Sequence, residues 1–151
     1  MSTQLRLEIE RLPSASDLPL PAYATPGSAG LDLCAAVSEP ITLTSLGRAA
    51  IPTGFKVQIP WGWEGQVRPR SGLALRHGLS MPNAPGTIDS DYRGELMVVL
   101  INLGAEPVTI VRGMRIAQLV ICPVGRAELV EVSSLAVDTQ RGTGGFGSTG
   151  A

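Results

Sequence analysis

"ITLTSLGRAAIPTGFKVQIP", residues Ile41 to Pro60, carries short apolar runs, each cut off within a few residues by glycine or proline. Breakers at that spacing leave no room for a long helix and suit short strands joined by turns. The same texture extends in both directions. "LDLCAAV" (31–37), "WEGQVRP" (63–69), "PVTIVRGMRIAQLVICPV" (107–124) and "AELVEVSSL" (127–135) are further short apolar runs bounded by turn formers. "QLRLEIERL" (4–12) alternates polar and apolar residues with the period of a half-buried strand. "LPSASDLPLPAYATPGSAG" (12–30) holds four prolines and reads as a long surface connection without regular structure. Only "SGLALRHG" (71–78) suits a turn or two of helix. The pattern predicts an all-β fold, a jelly-roll-like antiparallel sandwich or barrel with at most one short helix.

Composition agrees. Eighteen glycines and twelve prolines make up about a fifth of the 151 residues. Apolar residues reach 44% but aromatics only 4%, so Leu, Val, Ile and Ala must fill the core, and an oligomer interface is expected to assist. The net charge of −1 offers no basic field for nucleic acid, and no basic amphipathic helix suggests a membrane surface. Cys34 and Cys122 lack CxxC spacing and read as reduced core residues. With a start, "MSTQLRLEIE", unlike a signal peptide, the expectation is a cytoplasmic protein. One domain over 1–140 is expected to precede a flexible glycine-rich lid over 141–151.

Five stretches hold more polar residues and glycine than strands need. In "SAGLDLCAA" (28–36), Asp32 interrupts an apolar run; it either faces solvent by alternation or serves a site beside Gly30, where close backbone approach is expected. In "RPRSGLALRHG" (68–78), Arg70, Ser71 and Gly72 offer a guanidinium, a hydroxyl and a free N–H suited to phosphate, while ordinary N-capping by Ser71 is the plainer reading. A Ser71–His77 catalytic pair is conceivable, but the lone histidine reads better as an ordinary surface or core residue. In "NAPGTIDSDYRGELMVVLIN" (83–102), Gly86 and Gly94 bracket a hairpin-like turn. There Ile88 can desolvate Asp89 and make it a better proton acceptor, Asn83 offers both donor and acceptor, and Tyr92 supplies a flat face. In "GMRIAQLVI" (113–121), Arg115 and Gln118 sit in a core-like strand, where burial demands partners; for Arg115 a salt bridge competes with a ligand role. The fifth is "RGTGGFGSTG" (141–150), with Arg141 and Phe146 on a backbone that is costly to order.

These five stretches, in this order and spacing from Ser28 to Gly150, resemble the five motifs of homotrimeric dUTP pyrophosphatases (dUTPases). The resemblance implies a jelly-roll subunit, a threefold trimer with active sites at subunit interfaces, and Mg²⁺-dependent hydrolysis of dUTP to dUMP and pyrophosphate. That reaction supplies dUMP for thymidylate synthesis and keeps uracil out of DNA. By the same resemblance Asp89 is the general base. Asn83, Gly86, Thr87, Ile88 and Met97 form a uracil pocket too narrow for a 5-methyl group, and Tyr92 packs under deoxyribose. Arg70, Ser71 and Gly72 contact phosphate from a neighbouring subunit, Gln118 adds another phosphate contact, and Arg141 reaches the γ-phosphate. Phe146 stacks on uracil, with Gly147 and Ser148 beside it. Asp32 supports the water shell of a metal held by the three phosphates, with no direct protein ligand. Leu31 stands where the family often carries an aromatic. The rival readings are a dCTP deaminase of the same fold and a non-catalytic trimer that binds nucleotides.

Overall fold

The computed structural model describes residues 5–136 and 139–145. In chain order the elements are β1 (Glu8–Arg11), a 3₁₀ turn (Pro13–Ala15), β2 (Ala22–Tyr23), β3 (Leu31–Cys34), β4 (Ile41–Leu43), β5 (Arg48–Pro52) and β6 (Phe55–Gln58). Then follow β7 (Trp63–Pro69), α1 (Ser71–His77), β8 (Leu79–Ser80), β9 (Gly86–Ile88), β10 (Met97–Asn102), β11 (Val108–Ile110) and β12 (Arg115–Pro123). Every strand pairing is antiparallel. The Ile41–Pro60 stretch folds as three strands, β4 to β6. In β6 Phe55 and Val57 point into the core while Gln58 faces water, as period-two alternation requires.

The strands assort into a five-stranded sheet of order β2-β3-β12-β7-β9, a three-stranded sheet β5-β10-β8, and the pairs β1-β6 and β11-β4. Sequence neighbours are mostly not sheet neighbours, as expected of a jelly-roll-like fold. One apolar cluster joins the sheets through side chains such as Leu33, Ile51, Val98, Leu100 and Leu119. The two buried polar residues among those described are both satisfied. Thr53 Oγ1 donates to the Leu96 carbonyl, and Asn102 Nδ2 donates to those of Leu43 and Glu106. Among the described residues no helix is long and apolar enough to cross a membrane.

Four expectations need correction. The proline-rich connection is not wholly irregular. Pro13 opens the 3₁₀ turn, where its missing N–H costs nothing, and β2 pairs with β3. The 83–102 stretch is not a paired hairpin, because β9 joins β7 whereas β10 lies between β5 and β8. Residues between them cross from one sheet to another, through a turn in which Tyr92 N–H donates to the Asp89 carbonyl. The 127–135 run forms no strand; Leu129, Val130, Val132 and Leu135 stand exposed, unpaired with any described strand. Finally, Cys34 and Cys122 are free, as read, but only half-buried.

Candidate active site

The middle of the five-stranded sheet sets the site's geometry. β12 lies between β3 and β7, with Gln118 opposite both Asp32 and Arg68. The β3–β12 register shifts between Arg115 and Ala117, an irregularity of the kind that re-aims a side chain. The Arg115 guanidinium reaches back to Asp32, its Nη1 donating to Oδ2 at 3.2 Å. Arg70, just past the end of β7, meets Asp32 Oδ1 through Nε at 3.2 Å, and its Nη1 donates to the Arg115 carbonyl. Asp32 therefore does not point to open solvent: its side chain is 19% exposed and lies between two guanidiniums. For Arg115 the salt bridge and the site coincide.

Gln118 completes this end. Its Nε2 donates to the Pro69 carbonyl, and its side chain lies across Gly30. A methyl group on Gly30 would come within 2.5 Å of Gln118 Oε1, so the close approach read from the sequence has a specific cause. Ser71 is not the N-cap of α1. Arg70 holds that position without a side-chain cap, and Ser71 opens the helix with its side chain exposed. Asp32, Arg70, Ser71, Gly72, Arg115 and Gln118 line one cavity of about 530 Å³, joined there by Arg76. Arg76 was not singled out in the sequence, because an arginine late in a helix is ordinarily a solvated, dipole-compensating residue. His77 lies six residues beyond Ser71 on α1, too far around and along the helix to pair with it.

The acid-bearing turn lies elsewhere. Ile88 stands opposite Gly65 in the β7–β9 ladder, and Asp89 continues toward Glu64. Arg70 is five residues from Gly65 in the other direction, a run of about 17 Å at ~3.3 Å per residue. Within one chain Asp89 and the guanidinium cluster thus occupy opposite ends of β7. Asp89 is exposed, so Ile88 does not desolvate it, and it forms no ion pair with the described residues. It borders a cavity of about 640 Å³ with Trp61, Glu64, Thr87, Asp91 and Arg126. Arg126 stacks on Trp61 at 4.1 Å, a contact the sequence did not signal, since its partners are far apart in the chain. Asn83 and Thr87 are exposed, and the Asn83 amide lies against Gly86. Tyr92 is 42% exposed with its hydroxyl donating to the Glu95 carbonyl, and Met97 is exposed at the start of β10.

Arg141 belongs to neither end. Its Nε donates to the Gly144 carbonyl within a series of turns over 139–145. Phe146, Gly147 and Ser148 lie outside the described residues. Among the described residues no three His, Cys, Asp or Glu side chains converge to cage a metal.

An antiparallel β fold with three guanidiniums around one cavity defines a protein equipped to receive a polyanion. Residues 16–150 match the family model described as dUTPase, and the chain belongs to that family. It is 60% identical over 153 residues to the deoxyuridine 5'-triphosphate nucleotidohydrolase of Methylocella silvestris, covering 100% of this chain and 95% of that protein. The Rhizobium meliloti protein of the same name is 57% identical over 146 residues, covering 95% and 91%. Among solved structures, the Staphylococcus bacteriophage 80alpha dUTPase with dUPNHPP superposes with a TM-score of 0.87 at 27% identity, covering 98% of this chain and all of that one. A mutant dUTPase from phage phi11 of S. aureus, described with a structural Mg(II) ion, superposes with a TM-score of 0.77 at 25% identity, covering 87% and 99%.

Proposed function

We propose that the protein hydrolyses dUTP to dUMP and pyrophosphate at a site completed by more than one copy of the chain, in a homotrimer. The observation that carries this reading is the separation along β7. The polyanion cluster around Arg70 and the candidate base Asp89 each have an open cavity, yet lie about 17 Å or more apart in one chain. A nucleotide that touches both must lie between copies. The exposed apolar run 127–135 and the family membership support an assembly.

In the reaction, Asp89 accepts a proton from water as its oxygen bonds to phosphorus, and the bond to the bridging oxygen breaks to release pyrophosphate. Arg70, Ser71, Gly72 and Gln118 hold the phosphates in line, with Arg141 joining from the C-terminal segment. Asn83, Gly86, Thr87, Ile88 and Met97 frame the uracil, Tyr92 packs beneath the sugar, and Phe146, Gly147 and Ser148 close over the base. Another copy laid over the exposed Asp89 would exclude water from it.

Magnesium fits as an ion brought by the nucleotide. No described side chains cage it, and Asp32, engaged by a guanidinium on each oxygen, retains lone pairs that can accept from water around the ion. When bound, the ion supplies charge neutralisation on the polyphosphate. The free thiols of Cys34 and Cys122 suit a cytoplasmic setting, in which the product feeds thymidylate synthesis and the reaction keeps uracil out of DNA. The test is a nucleotide panel with Mg²⁺, scored for both pyrophosphate and ammonia. Pyrophosphate from dUTP alone is expected. Ammonia from dCTP would replace the reading with a deaminase, and tight dUTP binding without turnover would replace it with a non-catalytic trimer.

A further inference from the structure

We propose that Arg76 is an additional ligand of the diphosphate part of the substrate and of the pyrophosphate product, an inference that rests on the function proposed above. The plain alternative is a solvated arginine compensating the C-terminal end of α1. Its geometry argues otherwise. Side chains on a helix lean back over the preceding turn, and this one brings its guanidinium over Gly72, at the start of the helix. A methyl on Gly72 would stand 3.2 Å from Nη2 and 3.4 Å from Nη1, so the guanidinium lies close over the bare glycine, beside the cavity.

The electrostatics point the same way. Three arginines, Arg70, Arg76 and Arg115, line one cavity with a single carboxylate, Asp32. Asp32 uses one oxygen for Arg70 and the other for Arg115. Arg76 has no ion-pair or hydrogen-bond partner among the described residues. A third guanidinium gathered beside two others is unfavourable unless an anion joins them, and a diphosphate has enough oxygens to engage all three. Arg76 then binds the charged phosphate oxygens and has no contact with base or sugar.

The experiment is calorimetric titration of inorganic pyrophosphate into the full-length wild type, Arg76→Gln and Arg76→Lys, with steady-state kinetics on dUTP. Removing one charge-assisted contact is expected to weaken pyrophosphate binding about tenfold and to raise KM for dUTP by a similar factor. The value of kcat and the affinity for dUMP should stay unchanged, and Arg76→Lys should recover part of the loss. Arg76 is exposed, so the variants should melt with the wild type. Equal pyrophosphate affinity in wild type and Arg76→Gln overturns the inference while leaving dUTP hydrolysis intact. So does a wild type that hydrolyses dUTP yet binds no pyrophosphate. Conversely, a wild type that binds pyrophosphate through Arg76 without hydrolysing dUTP keeps this ligand and removes the reaction.

Discussion

At one end of β7 a carboxylate sits between two guanidiniums at 3.2 Å from each, with Gln118 fixed behind it by the Pro69 carbonyl. At the other end Asp89 stands exposed on a turn and forms no ion pair with the described residues. The first region is organised before any ligand arrives: Asp32 is held between Arg70 and Arg115 where β3, β7 and β12 meet, and of the arginines only Arg76 lacks a partner among the described residues. The second carries the proposed base without surroundings of its own among the described residues. Binding a polyanion needs charges already in place, because reorienting dipoles during reaction is costly. A proton acceptor needs only to be covered at the right moment, when substrate and a second copy close around it. On the proposed reading the first end holds the phosphates, and the second brings the base to the uracil side of the substrate.

The largest predicted effect attacks the chemical end. Replacing Asp89 with Asn removes the proton acceptor but hardly changes the shape of the turn. We expect kcat to fall by about 10³-fold, within the range for loss of a general base, while calorimetry finds dUTP binding largely retained. Parallel loss of binding would assign Asp89 to substrate positioning and erase the division between the two ends. Next in size is deletion of residues 141–151. The shortened chain should stay folded and keep the wild-type assembly by melting and scattering, while turnover drops about a hundredfold as alignment is lost. An unfolded product would make that segment structural.

A smaller effect separates positioning from binding within the charged end. Asp32→Asn frees Arg70 and Arg115 from their shared anchor without removing either charge. Pyrophosphate should bind at least as tightly, because a competing anion has gone, while kcat falls about tenfold from loss of a fixed geometry. Weaker pyrophosphate binding in this variant would show that Asp32 holds the arginines in their only productive arrangement for affinity as well.

How much of this was legible beforehand depended on the range of the signal. Glycine and proline act locally, so the short strands of Ile41–Pro60 and the helix at Ser71–His77 could be read directly. Gln118 and Arg115 could be singled out because polar groups in a core-like strand need partners wherever they lie. Strand pairing is not local. Nothing near Gly86 says that β9 joins β7 rather than β10, so the local sequence of 83–102 suggests a hairpin that the fold does not form, and it gives no sign of the distance between Asp89 and Arg70. The apolar run in 127–135 carries the same ambiguity, since a short apolar run does not say which chain supplies its neighbour. Arg76 left no mark because its importance lies in a rotamer and in the missing side chain of Gly72.

The smallest predicted effect is a control outside both regions. Arg112 grips the Asp17 carboxylate and also donates to the Ser14 and Val37 carbonyls, tying the 3₁₀ turn to the loop before β12. This is again an arginine–aspartate pair, but it is exposed and lines neither cavity of the site. The hydrogen bond from Arg112 holds the Asp17 carboxyl below its ordinary value of 3.8. A depressed folded-state value stabilises the protein above the unfolded value and loses that contribution as pH falls through the folded one. Asp17→Asn should therefore melt slightly below the wild type at neutral pH, and the difference should close as pH drops below 3.8. Turnover and KM should not move, because an exposed pair that lines neither cavity can fasten a loop without orienting a phosphate. A change in kcat from this variant would mean that the loop before β12 transmits to Arg115, and that the charged end is less self-contained than its geometry implies.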